Sequence, residues 1–134
     1  MRALKIPVEE FTTPNPVTAL EGTDLGQLTS LMEGNGIRHI PIMRAGRVVG
    51  IVSDRDLRLA AGLSKREKSM LLAKDIMVED PVTVNAQATL DEVALAMSES
   101  KIGSVIVNDQ DDQLLGIFTV TDALNALIEI ARSN

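Results

Sequence analysis

The chain is written twice. Pro16-Val17-Thr18 recurs as Pro81-Val82-Thr83, 65 residues later. At the same offset Leu25, Leu28 and Met32 fall on Leu90, Val93 and Met97, and Ile37 falls on Ile102. Gly50-Ile51 then matches Gly116-Ile117 at an offset of 66, so one residue has been added in the turn between. Ser53 matches Thr119, and Asp56 matches Asp122. A unit of this size has too little interior to be stable alone, so two copies must bury their apolar faces together.

Each copy has the same order of signals. A short strand begins after proline, in "PVTAL" and in "PVTVN". A helix follows, with Thr23-Asp24 and Thr89 as capping residue types and apolar positions recurring three and four apart. "GNGI" closes the first helix with glycines, which reach the left-handed turn past a helix end. A hairpin comes next, "RHIPIM" to "RVVGIV" across Arg44-Ala45-Gly46, and "SVIVN" to "LLGIF" across an Asp/Gln turn. A second helix begins after the acid, over "DLRLAAGL" or "DALNALIEIARS". The expected class is α+β, two β-α-β-β-α repeats about a pseudo-twofold axis. The repeats are placed at 8–62 and 75–132, with 63–74 as a helical or irregular connector.

Composition excludes more than it selects. With no Cys there are no disulfides and no thiolate chemistry. His39 is the only histidine, so nucleophilic catalysis has one base at most, placed within a strand by "IRHIPI". No acidic loop has calcium spacing, and "DQDD" at 109–112 fits a solvated turn. "GNGIRH" has His39 where a dinucleotide fingerprint needs its third glycine, and no Walker lysine motif occurs. These absences argue against an enzyme and against a metal site. No apolar run approaches the length of a membrane span, and "MRALKIPVEE" lacks the core of a signal peptide, so the expectation is a cytoplasmic protein without membrane insertion. A net charge of −6 disfavours nucleic acid as a partner. Residues 1–74 hold eleven Lys/Arg and eight Asp/Glu, a net +3, whereas residues 75–134 hold two and eleven, a net −9. That asymmetry suits either two solvated surfaces of opposite sign or an anion site in the first half.

The motif Gly-apolar-apolar-[Ser/Thr]-x-x-Asp ends both hairpins, as "GIVSDRD" and "GIFTVTD". The glycine marks a place where another chain segment or a ligand approaches the backbone closely. The hydroxyl residue stands at the strand-to-helix junction with the acid one turn on. Two roles fit this spacing. The hydroxyl caps the helix and the acid favours its positive end, which only stabilises the fold. Alternatively, the pair presents acceptors to the two hydroxyls of a ribose while helix N–H groups lie near a phosphate.

With "PVTV", "IRHIPIM", "GIVSDRD" and "GIFTVTD" duplicated over roughly residues 11–130, the chain resembles the CBS domain family. The resemblance implies two repeats packed sheet to sheet, with two clefts that bind AMP, ADP or ATP in many relatives and need no other cofactor. Each implied cleft draws on both repeats. One takes Ile117, Thr119 and Asp122 with Thr13, Val17, Thr18, Ile37, Arg38 and His39. The other takes Ser53, Arg55 and Asp56 with Val82, Thr83, Ile102, Gly103 and Ser104. Arg38 and His39 would favour the Asp122 cleft, because a guanidinium grips phosphate oxygens with two hydrogen bonds. The resemblance further implies a non-enzymatic regulator that signals to an unidentified protein in trans by a change of shape. Leu57, Leu59, Ala60, Leu124, Leu127 and Ile128 supply apolar helix surface for a homodimer. The competing reading is a ligand-free dimerisation scaffold in which the Ser/Thr-x-x-Asp residues only cap helices.

Overall fold

The computed structural model describes residues 5–133. In chain order, a 3-10 turn at Val8–Phe11 leads to β1 (Thr13–Pro14), β2 (Ala19–Leu20), α1 (Leu25–Asn35), β3 (His39–Arg44) and β4 (Arg47–Ser53). Then come α2 (Asp54–Arg58), α3 (Lys65–Met70), α4 (Ala73–Ile76), β5 (Val78–Glu79) and β6 (Thr83–Asn85). The chain closes with α5 (Leu90–Ser100), β7 (Ser104–Asn108), β8 (Leu114–Thr119) and α6 (Val120–Arg132). Mixed helix and sheet in two like repeats is the class expected.

Two compact units result, each with its own four-stranded sheet. Pro16–Pro81 forms one, with strand order β2-β3-β4-β5. The segment ending at Asn15 joins the chain from Val82 onward in the other, with order β1-β8-β7-β6. In both, a parallel pair (β2 with β3, β6 with β7) leads into an antiparallel hairpin and then an antiparallel edge strand. The first unit buries Leu28, Met32, Ile40, Ile42 and Val52 between sheet and helices. The second buries Val8, Val93, Met97, Val105, Val107 and Phe118. The apolar positions that defined the sequence repeat are therefore the helix faces turned onto each sheet.

The edge strands depart from the sequence partition. β1 precedes the first repeat yet pairs with β8 of the second, Thr13 opposite Ile117 and Pro14 opposite Gly116. β5 precedes the second repeat yet pairs with β4 of the first, Val78 opposite Ile51 and Glu79 opposite Gly50. The 63–74 segment, with α3 and α4, packs in the unit of the first repeat. Just beyond each edge strand the chain turns at Asn15 and Asp80, both at φ 50°. These are two of the few non-glycine residue types that tolerate the left-handed region, and a proline follows each.

That exchange also redraws the charge map. Pro16–Pro81 holds nine Lys/Arg and nine Asp/Glu, a net of zero, while the rest of the chain holds four and ten, a net of −6. No unit is net basic, so the contrast is neutral against acidic rather than the basic and acidic halves of the linear sequence.

Capping follows the sequence in the first repeat, whereas Thr89 holds the N-cap position of α5 without a capping side-chain hydrogen bond. Asp24 accepts from the Gln27 amide at 2.8 Å, and the Gln27 side chain accepts from the Asp24 amide at 3.2 Å. Gly36 ends α1 at φ 61°, and at the equivalent place in the second repeat Lys101 does the same at φ 56°. The second helices differ. α6 runs for 13 residues, but α2 stops after 5. The expected continuation through "LAAGL" tightens instead into three-residue turns, with Ala60 and Ala61 amides donating to the Leu57 and Arg58 carbonyls at 3.1 Å.

Candidate functional site

At the end of β8, Thr119 is the N-cap of α6. Its hydroxyl accepts from the Asp122 amide at 3.3 Å. Asp122 Oδ2 in turn accepts from the Thr119 amide at 2.8 Å and from the Thr119 hydroxyl at 3.1 Å. The other carboxylate oxygen, Oδ1, accepts from the Thr13 hydroxyl at 3.4 Å, delivered by β1. The same corner recurs at the end of β4. Ser53 Oγ accepts from the Asp56 amide at 3.3 Å, and Asp56 Oδ2 accepts from the Ser53 amide at 2.8 Å and the Ser53 hydroxyl at 3.0 Å. Both carboxylates are half-buried at the first turn of a helix. The sequence dictates this corner: an extended hydroxyl residue, then an acid at the third helical position, makes a reciprocal cap.

The edge strands make the two corners unequal. Opposite Ile117 stands Thr13, but opposite Ile51 stands Val78, which has no hydroxyl to offer. Thr13 and Val78 stand 65 residues apart, the offset of the repeat, and the strand exchange gives that relation its meaning.

The glycines of the motif sit where the edge strands come closest. A Cβ on Gly116 would lie 2.2 Å from the Thr13 carbonyl oxygen, and one on Gly50 would lie 2.4 Å from Met77 Sδ. The close approach expected at these glycines is thus that of another chain segment.

Within each unit, the strand beside the corner supplies its neighbours. Ser104 pairs with Thr119, and the Val120 amide donates to the Gly103 carbonyl at 3.1 Å. His39 pairs with Ser53, and the Asp54 amide donates to the Arg38 carbonyl at 2.9 Å. The Arg38-His39 pair therefore lies in the unit of Ser53 and Asp56, and Gly103-Ser104 in that of Thr119 and Asp122. The Arg38 side chain is exposed, as is Arg55. Ile37 and Ile102 pack against the two cores, and Ile117 is buried in β8. Val17 is half-buried and Thr18 exposed ahead of β2, while the Val82 carbonyl accepts from the Ile106 amide at 2.9 Å and Thr83 pairs with Ile106. Of the helix residues assigned to a dimer surface, Leu59, Leu124, Leu127 and Ile128 are exposed. Ala60 is buried and Leu57 packs against the core of the first unit, so neither is open to a second copy.

Both corners lie within segments that a known family matches. The CBS domain family model covers residues 8–62 and 73–129. The chain belongs to the CBS domain family. It is a tandem CBS pair. Among solved structures, a Vibrio cholerae protein given the provisional name acetoin utilization protein AcuB superposes with a TM-score of 0.83 at 36% identity, over 96% of this chain and 95% of that one. CBSX2 of Arabidopsis thaliana, crystallised in complex with AMP, gives a TM-score of 0.78 at 25% identity, over 94% and 98% of the two chains. The inosine-5'-monophosphate dehydrogenase of Korarchaeum cryptofilum is 32% identical over 114 residues. That match takes in 85% of this CBS pair but only 23% of the dehydrogenase. Among the described residues no group of three or more acids and histidines could hold a metal ion, and no helix is long and apolar enough to cross a membrane.

Proposed function

We propose that this CBS pair is a non-catalytic regulatory module that binds an adenosine nucleotide of the AMP or ATP class at its Ser/Thr-x-x-Asp corners. In this reading it pairs with a second copy and signals to a partner protein by a change of conformation. The observation that carries the reading is the duplicated corner itself. In each, one backbone amide and one hydroxyl hold a single carboxylate oxygen, and a carboxylate has further acceptor capacity of the kind that a ribose diol needs. The AMP held by CBSX2 supports the same ligand class here. Arg38, exposed and permanently charged, is the cation that we assign to the phosphate.

A second reading has an observation of its own. Both capping boxes are complete without any ligand, so the same residues would serve a scaffold that binds nothing. Thermal unfolding in the presence of AMP, ADP, ATP, S-adenosylmethionine and cyclic di-AMP separates the two. A ligand at 100 times its dissociation constant adds about 2.7 kcal/mol of stability by mass action. Stabilisation by AMP or ATP supports the nucleotide module, and unchanged unfolding with all five supports the scaffold.

A further inference from the structure

Among the described residues, one asparagine is followed by glycine: Asn35, the last residue of α1, stands before Gly36. Such a pair carries its own chemistry. The Gly36 backbone nitrogen loses its proton and attacks the Asn35 side-chain carbonyl carbon, closing a cyclic imide and expelling ammonia. Water then opens the ring at either carbonyl. The product is aspartate, or isoaspartate with the main chain rerouted through the side-chain carbon. A side chain on the following residue would crowd that nitrogen and narrow its backbone freedom, and glycine does neither. The other described asparagines are poorly placed for this reaction. Asn15 precedes Pro16, whose nitrogen has no proton to lose. The Ala86 amide, after Asn85, donates to the Asn108 carbonyl at 2.8 Å, and the Asp109 amide, after Asn108, donates to the Gln113 carbonyl at 2.9 Å. Asn125 lies within α6.

The end of α1 both exposes the pair and restrains it. Glu33, Gly34, Asn35 and Gly36 are all exposed, and a Cβ on Gly36 would meet nothing within 4 Å. Yet the Gly36 amide donates to the Met32 carbonyl, and Asn35 Nδ2 donates to the Leu31 carbonyl at 2.8 Å. The proton of the nucleophile and the leaving group are thus both tied back to the helix, so attack waits for the last turn to open. Helix ends do open, at a local cost well below that of unfolding. The turn itself does not require this pair. At the same place in the second repeat, Ser100 and Lys101 close α5 in the same left-handed way, φ 56° against 61°.

We propose that Asn35-Gly36 is a self-modification site, opened by fraying of α1, whose conversion to aspartate or isoaspartate loosens the approach to β3. An ionised carboxylate at position 35 cannot donate to the Leu31 carbonyl, and it stands at the negative end of the helix. Isoaspartate also lengthens the main chain by one carbon. Directly after it come Ile37, whose amide donates to the Met32 carbonyl at 3.1 Å, and Arg38, whose carbonyl accepts from the Asp54 amide at 2.9 Å. The change therefore bears on the seat of the Ser53 and Asp56 corner, and only the first repeat carries it.

Peptide mapping by mass spectrometry of the full-length chain, held at physiological pH and temperature, reads the conversion directly. Electron-transfer fragmentation separates isoaspartate from aspartate. Two hydrogen bonds must open first, which makes the folded chain roughly thirtyfold slower than the same chain in denaturant. After roughly thirty half-lives of the denatured reaction, about half of the folded chain should be converted at Asn35, with Asn85, Asn108 and Asn125 intact. An unconverted Asn35 at that point overturns the site, and conversion as fast as in denaturant overturns its gating by α1. In denaturant, where folding plays no part, Gly36→Lys is expected to convert several-fold more slowly than wild type, and an equal rate overturns the imide route. Asn35→Asp supplies one product outright. Hydrogen exchange at its Ile37 amide is expected to accelerate roughly fivefold, and unchanged exchange there overturns the loosening of β3.

Discussion

Replacing Gly116 by alanine is expected to dislodge β1, and the same replacement at Gly50 is not expected to dislodge β5. The two glycines are repeat equivalents, but what a methyl group meets there differs in kind. At Gly116 it would lie 2.2 Å from the Thr13 carbonyl oxygen, 2.7 Å from Thr12 Cγ2 and 3.0 Å from the Thr13 carbonyl carbon. Two of these are backbone atoms of the paired strand, and Thr12 is buried with its hydroxyl donating to the Val8 carbonyl at 2.8 Å. Nothing there can rotate aside. At Gly50 the methyl group would meet Met77 Sδ at 2.4 Å, Cγ at 2.7 Å and Cβ at 3.0 Å, a side chain with three rotatable bonds. Overpacking costs about 1–3 kcal/mol, and each backbone bond lost with a displaced strand costs about 1 kcal/mol. Gly116→Ala should therefore lose about 3 kcal/mol. Gly50→Ala should lose about 1 kcal/mol or less, because alanine also lowers the entropy of the unfolded chain by about 0.4–1 kcal/mol. At about 4 °C per kcal/mol for a chain of this size, melting temperatures should fall by about 12 °C and at most about 4 °C. Hydrogen exchange at the Asn15 amide, which donates to the Leu115 carbonyl at 3.2 Å, should accelerate in Gly116→Ala alone. Equal losses, or a larger loss at Gly50, would refute the assignment of Gly116 to backbone contact.

Asp56→Ala and Asp122→Ala should each lose about 1 kcal/mol with their capping boxes and should also lose AMP-induced stabilisation. If AMP still raises the melting temperature of both variants by the wild-type amount, the carboxylates act only as caps. Arg38→Ala should weaken AMP by tenfold or more in calorimetry, since a charge-assisted bond is worth about 1.5–3 kcal/mol, and should leave adenosine binding unchanged. An equal loss for adenosine would take Arg38 off the phosphate. The Ser64 amide, donating to Glu67 at 3.0 Å, and then the Ser64 hydroxyl hold the Glu67 carboxyl below its ordinary value of 4.5. A depressed carboxylate stabilises the fold above its unfolded pKa and is lost as pH falls through the folded value. The start of α3 should accordingly fray only below pH 4.5. An NMR titration should show Glu67 moving part-way back up in Ser64→Ala, and an unchanged titration would discount the hydroxyl.

Most of the local rules were in the sequence, although Thr89 makes no capping side-chain bond. A polar cap residue and a polar partner three positions on close a reciprocal cap because the residues that meet are three apart, as Asp24 with Gln27, Ser53 with Asp56 and Thr119 with Asp122 each do. The hairpin over Arg44-Ala45-Gly46 and the left-handed close of α1 at Gly36 follow from the same short reach, and the 65-residue repeat makes the second unit a copy of the first. The length of α2 was less legible. "LAAGL" contains helix formers, and its tightening depends on Ala60 being buried, a tertiary demand that overrides propensity. The edge strands were not legible at all. Each is two residues long, too short for a periodic pattern, and pairs across about a hundred positions for β1 but only about thirty for β5. Where Thr13 and Val78 land depends on which sheet leaves an edge open, a property of two finished units rather than of any stretch of chain. That choice brings Asp122 a further hydroxyl, that of Thr13, where the first unit places Val78, so two corners written alike in sequence are made chemically different by strand exchange.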